Sequence, residues 1–377
     1  MNIIRTIEAD IIDNLQNTTK GVVIYGARQI GKTTLSNKII SILGLKTLRI
    51  NGDQSLYLDV LSSRDINKLT NLVSGYEMLF IDEAQRIAEI GINLKIILDN
   101  FPKLKVLITG SSALDLRSKI AEPLTGRVWS YRLYPISIHE LRSIYNQVEL
   151  DSHLEERLVY GSYPEIFSIQ GFNQKKEYLQ NLSDAYLYKD LLEFGGLKNS
   201  SKVRDLLKLL AFQVGSQVSL SELGSTLNMS KDTVSRYIDL LEKSYVVFRM
   251  SGFSRNLRNE VGKMDKIYFY DLGVRNILID NLKAIRDRND IGLLWENFLV
   301  VERLKKLANS KSLFSHYFWK LSSGAEIDLI EERDGELYGF EFKWGKKNVK
   351  APASWHTAYP EAEFAFINRG NFLEFVS

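Results

Sequence analysis

Two hydrophobic rhythms alternate along the first third of the chain. Ile3, Ile4, Ile7, Ile11, Ile12 and Leu15 fall near helical spacing and predict an amphipathic helix within residues 1–20. Gly21 to Tyr25 is then a short continuous apolar run of β type, and a helical pattern resumes from Thr34 to Leu43. Further β-type runs lie at residues 46–50, 77–82, 104–109 and 128–133. Strands alternating with helices predict a parallel α/β sheet, with any ligand at the carboxyl ends of the strands.

The rhythm changes after residue 150. Residues 151–200 read as a helical lid or linker, broken at Gly161-Ser162-Tyr163-Pro164-Glu165, a hinge-like interruption. Lys202 to Gly215 carries the stripe Val203, Leu206, Leu207, Leu210 and Val214. Ser219-Leu220-Ser221-Glu222 opens a second short helix as a capping box, and Ser230 can cap a third. Two β-type runs, 245–250 and 266–270, follow. This succession resembles a winged helix-turn-helix. Further on, a helix begins near Leu293. Strand-like runs follow at 317–320, 324–330 and 337–344, the last two joined by the hairpin signal Asp334-Gly335.

Length and composition narrow the picture. The 377 residues suggest two or three domains, read here as segments 1–150, 151–280 and 281–377. The absence of cysteine excludes disulfides, Cys-ligated zinc and thiol catalysis. The four histidines have no regular metal-site spacing. No apolar run approaches the roughly 18 residues of a membrane span, and the N-terminus has no signal-like core. The expectation is a soluble cytoplasmic protein without a membrane partner. A net charge of +3 is too small to indicate nucleic-acid binding, so any basic footprint must be local.

The β-type run at 21–25 leads directly into Gly26-Ala27-Arg28-Gln29-Ile30-Gly31-Lys32-Thr33, the G-x-x-x-x-G-K-T phosphate-binding pattern, followed by Thr34 and a helix. Glycines there let backbone N–H groups turn inward on phosphates, and the helix N-terminus adds partial positive charge. Lys32 would reach the terminal phosphates of ATP, and the Thr33 hydroxyl would ligate Mg²⁺. Asp82 at the end of the next apolar strand can hold Mg²⁺ through water, and Glu83 can polarise an attacking water. Thr109, Ser111 and Ser112, at a third strand end, are candidate sensors of the terminal phosphate; Ser111 is taken forward. Arg28, Arg86, Arg117 and Arg127 are candidate partners of that phosphate, with Arg127 favoured, acting in cis or from a neighbouring subunit.

These motifs resemble an AAA-type P-loop ATPase of the branch with Glu directly after the strand-end Asp. More narrowly, Gly26–Thr34, Phe80-Ile81-Asp82-Glu83-Ala84-Gln85 and Leu124-Thr125-Gly126-Arg127 resemble bacterial and archaeal ATPases whose C-terminal half is the domain of unknown function 4143. The resemblance begins near residue 18 and covers nearly the whole chain.

The other two segments offer candidate chemistry of their own. In a DNA-binding reading the third helix presents Ser230, Lys231, Thr233, Ser235 and Arg236. Arg249, Arg255, Arg258, Lys263 and Lys266 would form a basic wing interleaved by Phe253 and Tyr268. The alternative is a winged helix that packs between domains and touches no DNA. In the last segment Glu326 and Asp328 alternate on one strand, and Glu341 and Lys343 on the next. With Glu296 on the preceding helix, they resemble a PD-(D/E)XK nuclease, with Ile327 where the name places Pro. That resemblance implies Mg²⁺ ligation by Asp328, Glu341 and Glu296, with Lys343 steering a water and Lys346, Lys347 and Lys350 holding phosphates.

The sequence thus predicts three parts: a P-loop ATPase domain, a helical winged-helix connector and a restriction-endonuclease-like α/β domain. ATP and Mg²⁺ are the expected cofactors. DNA is the expected macromolecular partner, and a second copy or a protein partner is also allowed. Two functions remain open: ATP hydrolysis coupled to DNA engagement with Mg²⁺-dependent phosphodiester cleavage, or a nucleotide-dependent switch whose nuclease-like part does not cut.

Overall fold

The computed structural model describes residues 3–110, 123–184, 200–255, 264–310, 313–345 and 349–377. Ser111, Ser112, Arg117, Arg258, Lys263, Lys346 and Lys347 lie outside them. The chain divides into two compact units, residues 4–134 with 243–245, and residues 135–242 with 246–377.

The first unit is an α/β layer structure. Its five strands, β1 (Gly21–Tyr25), β2 (Thr47–Asn51), β3 (Met78–Asp82), β4 (Lys105–Gly110) and β5 (Val128–Arg132), are all parallel, in the order β2-β3-β4-β1-β5. All five residues of β1 are buried, as the unbroken apolar run requires of a strand covered on both faces. The helix Lys32–Leu43 starts inside the G-K-T motif, so the motif bridges a central strand and a helix N-terminus. The first helix spans Glu8–Asn17 and buries Ile11 and Leu15. It is shorter than the apolar periodicity predicts, because Ile4 is exposed and residues 3–5 take no helical conformation. Arg5 there is only 8% exposed and donates to the carbonyl oxygens of Ile30 and Tyr134.

In the second unit a short helix, Ile138–Leu141, precedes the longer helices Gln147–Tyr160 and Phe172–Leu182. Between them Gly161 takes a positive φ of 74°, and a Cβ there would collide with the Asp271 carboxylate. The hinge-like interruption is therefore a tightly packed corner. Three helices follow, Ser200–Phe212, Leu220–Leu227 and Lys231–Lys243. The Ser219 hydroxyl caps the second by accepting from Glu222 N–H at 3.3 Å. An antiparallel hairpin then forms from β6 (Val247–Met250) and β7 (Lys266–Phe269).

The helix Ile291–Asn309 leads into a four-stranded sheet of β8 (Phe314–Lys320), β9 (Glu326–Arg333), β10 (Glu336–Phe342) and β11 (Glu363–Ile367), in the order β11-β10-β9-β8. β8, β9 and β10 form an antiparallel meander, and β10 pairs with β11 in parallel. Asp334 and Gly335, both at positive φ, close the β9–β10 hairpin as the sequence signal predicts. Arg303 on the long helix pairs with Glu331 of β9 at 2.7 and 2.9 Å, with the Glu331 side chain fully buried.

The β6–β7 hairpin and this sheet share one core. After β6 the chain runs along β8: Phe318 N–H donates to Ser251 O at 3.1 Å, and Phe253 N–H to Phe318 O at 2.6 Å. Phe253 then joins Trp319, Ile327, Ile330, Leu337 and Trp355 in a buried cluster. Residues 135–150, grouped with the ATPase segment on sequence, pack in this second unit.

Candidate functional site

The G-K-T motif lies at the carboxyl end of β1. Gly26 has a φ of 156°, and a Cβ there would lie 2.5 Å from Leu133 O, so the loop can pass only as glycine. Lys32 is buried and its Nζ spans the loop, donating to Gly26 O at 3.0 Å and Ala27 O at 2.8 Å. Thr33, one residue on, donates its hydroxyl to Asp82 Oδ2 at 2.8 Å. Two parts 49 positions apart in sequence therefore meet as a hydroxyl and a carboxylate beside a lysine and a helix N-terminus. Both oxygen donors are hard, which suits Mg²⁺ bound alongside phosphates.

Asp82 is held from a second side. Thr109, 0% exposed at the end of β4, donates its hydroxyl to Asp82 Oδ1. The Glu83 N–H lies 3.2 Å from the same carboxylate oxygen and 3.4 Å from the Thr109 hydroxyl oxygen. Glu83 itself has a φ of 51°, and its carboxylate accepts from the Gln85 side-chain amide. Of the three hydroxyls left open on sequence, Thr109 is built into the site, while Ser111 and Ser112 are outside the described residues.

The position of Arg127 bears on one of the two alternatives left open on sequence. It precedes β5, and its carbonyl accepts from Gly21 N–H at the start of β1, so it lies at the sheet end opposite the P-loop. There its guanidinium grips Asp99 at 2.6 and 3.1 Å. Asp99 is held below the usual carboxylate range by that hydrogen bond. A role in cis at the phosphates of its own chain is therefore set aside, because a strand's length separates the two ends. Arg86 stays near the strand-end acids, 3.4 Å from Asp53. Two arginines were missed on sequence. Arg5 supports the P-loop from beneath through Ile30 O at 3.2 Å. Arg132, in register with Tyr25, stands at the P-loop end of β5 with its guanidinium 5.7 Å from the Tyr134 ring. The signal for Arg132 was its position as last residue of a strand parallel to β1.

The acids of the second unit gather around lysines. Glu296 Oε1 accepts from Tyr268 OH at 2.6 Å and from Lys266 Nζ at 3.1 Å. Lys266 also pairs with Glu326 Oε1 at 2.7 Å, and Lys320 takes Glu326 Oε2 at 2.8 Å. Lys343 pairs with Glu341 at 2.6 Å. Asp328 is buried and accepts from Phe342 N–H at 2.8 Å. Burial pushes its pKa well above the usual carboxylate range, and the charges of Glu296 and Glu341 push the same way. Among the described residues no three acidic or histidine side chains converge as a metal would require.

The basic wing is also altered. Lys266 is 2% exposed and points into the acid cluster, and Arg249 is engaged by Asp239 at 2.6 Å and Glu242 at 2.5 Å. Phe253 and Tyr268 are buried, so neither can stack on a base. Ser230, Lys231, Arg236 and Arg255 remain exposed.

Residues 18–142 match the AAA domain family, residues 151–284 the domain of unknown function 8612, and residues 291–371 the domain of unknown function 4143. These matches are the ones that an AAA-type P-loop ATPase with a C-terminal domain of unknown function 4143 would give, each over part of the chain. The chain is 29% identical over 325 residues to an uncharacterized protein of Mycobacterium tuberculosis, a match spanning 85% of this chain and 70% of the relative. It is 25% identical over 346 residues to an uncharacterized protein of Methanocaldococcus jannaschii, spanning 82% and 71%. Among solved structures it shares its fold with a Walker-type ATPase of Pyrococcus abyssi, at a TM-score of 0.50 and 16% identity over 72% of this chain and 94% of that one. Among the described residues no helix is long and apolar enough to cross a membrane.

Proposed function

We propose that the protein binds and hydrolyses ATP in its first unit and uses that cycle to control engagement of DNA by its second, without cutting it. The observation that carries the ATPase part is the meeting of Lys32, Thr33, Asp82 and Glu83 at the carboxyl ends of β1 and β3. Gly26 to Thr34 would surround the phosphates. Thr33 and Asp82 would hold Mg²⁺, which supplies charge neutralisation on the phosphates when bound. Lys32 exchanges its loop carbonyls for phosphate oxygens. Glu83, once released by Gln85, orients the water and takes its proton. Any phosphate contact by Arg127 is made toward a second copy.

The test uses two variants with opposite expectations. Lys32→Ala loses nucleotide binding. Glu83→Gln keeps binding and loses turnover. Hydrolysis at the wild-type rate in both would refute the assignment.

DNA engagement rests on Ser230, Lys231, Arg236 and Arg255, the exposed remainder of the predicted footprint. Replacing Lys231, Arg236 and Arg255 with Ala weakens binding across all sequences alike and lowers its salt dependence by about one unit of slope for each phosphate no longer engaged. Wild-type protein that fails to bind duplex or single-stranded DNA at low salt, in any nucleotide state, would turn the reading to a protein partner. The non-cutting form of the function is favoured by one contact, the pairing of Lys266 with Glu296 and Glu326.

A further inference from the structure

The acids of the last segment sit in the pattern of a metal-dependent nuclease, yet their surroundings do not suit a divalent cation. We infer that Lys266, supplied by the β6–β7 hairpin, is the resident cation of this acid cluster and excludes divalent metal from it. The inference deepens the non-cutting reading of the second unit and is independent of ATP hydrolysis in the first.

Four observations carry it. The Lys266 ammonium lies 3.1 Å from Glu296 and 2.7 Å from Glu326, bridging the long helix and β9. Its side chain is 3% exposed, so it cannot swing into solvent without opening the hairpin. Tyr268, on the same strand, takes the same Glu296 oxygen at 2.6 Å, so both lone pairs of Oε1 are already used. Gly215 closes over the other side: it has a φ of 71°, and a Cβ there would lie 3.1 Å from Glu296 Oε1.

Charge points the same way. Glu296, Glu326, Asp328 and Glu341 face Lys266, Lys320 and Lys343. A divalent ion entering here would meet a fixed positive charge within the cluster, where three lysines already stand against four acids. Lys266 is thus a positioning residue. Its ammonium fixes Glu296 and Glu326, and through them joins the hairpin to the sheet.

The test is Mn²⁺ binding, followed by electron paramagnetic resonance of the free ion. The full chain is used, carrying Asp82→Ala to silence the ATPase site, without nucleotide. Wild-type Lys266 gives no saturable binding in the second unit. Lys266→Met creates a site and tightens Mn²⁺ binding by roughly tenfold or more, since a like charge beside it has been removed. Adding Asp328→Asn abolishes the gain. Because removing one ammonium leaves two buried carboxylates unpaired, the double variant Lys266→Met/Glu326→Gln serves as a second probe. It leaves Glu296, Asp328 and Glu341 in place, and circular dichroism establishes that it is folded. A folded double variant that binds Mn²⁺ no better than wild type overturns the inference. So does tight Mn²⁺ binding by the protein with Lys266 intact that Asp328→Asn removes. ATP turnover, measured separately with Asp82 restored, is unchanged by either Lys266 variant, so a failed ATPase reading and a failed Lys266 reading give different results.

Discussion

Thr109→Val isolates one hydroxyl. Thr109 is 0% exposed, and valine matches its shape, so β4 and its packing are retained. What is lost is the hydrogen bond to Asp82 Oδ1. A hydrogen bond to a charged group is worth about 1.5–3 kcal/mol. Asp82 keeps the Thr33 hydroxyl at 2.8 Å and the Glu83 N–H at 3.2 Å, so the carboxylate loosens without being released. That places the effect at the lower end of the range, about 1.5 kcal/mol, or about a tenfold fall in kcat. Nucleotide affinity measured in EDTA should change by no more than about twofold, because the phosphates are held by the P-loop backbone and Lys32. The assay is steady-state phosphate release across a Mg²⁺ series, with Thr109→Ser as the rescue. Wild-type kcat in Thr109→Val, or a fall that Thr109→Ser does not restore, would refute the claim that this hydroxyl positions Asp82.

Three other outcomes follow from side-chain pairings in the two units. Arg5→Met removes the side chain beneath Ile30 and should raise the KM for ATP about tenfold with a smaller change in kcat; a pure kcat effect would contradict a role in shaping the loop. Arg303→Met leaves buried Glu331 with Arg333 alone, 3.1 Å away, and should cost about 3 kcal/mol in urea unfolding, much of which the double variant Arg303→Met/Glu331→Gln recovers; equal losses in both would count against the pair. Burial alone would raise the Asp290 pKa, but hydrogen bonds from Arg288 and Arg275 hold it at about 2. Its folded pKa lies below the unfolded value of about 3.9, so its contribution is full above that pH and is lost as the pH falls toward about 2. Asp290→Asn should flatten this window by about 1–2 kcal/mol once solvent screening is allowed for, and an unchanged acid profile would count against it.

The P-loop was legible because its parts are contiguous: an apolar strand, two glycines, a lysine and a helix follow one another without a gap. Asp82 and Glu83 were legible because a strand's end is marked by the loss of apolar residues. For Arg127 the choice between a role in cis and one toward a second copy was not legible, because the motif around it carries no direction. Only the parallel pairing of β5 with β1 reveals that its first residues lie far from the phosphates. Thr109 could be named but not chosen over its neighbours, since the choice depends on how β4 sits beside β3. The largest gap was Lys266. On sequence it belongs to a run of positive charge and reads as surface, and the carboxylates that bury it lie 30 and 60 positions later. Alternation along β9 and β10 correctly grouped the acids by face, but no local pattern could announce a lysine arriving from another sheet.

The continuity between hairpin and sheet bears on how this chain can be dissected. The match to the C-terminal family starts at residue 291, downstream of Phe253, Lys266 and Tyr268. A fragment cut at that border would carry Glu296, Glu326 and Asp328 without the ammonium that balances them, and a sheet with one wall of its core missing. The border of a sequence family and the border of a folding unit are set by different things, the second by where burial ends. For expression, proteolysis or transplantation, the smallest self-sufficient piece of the second unit therefore has to include the hairpin.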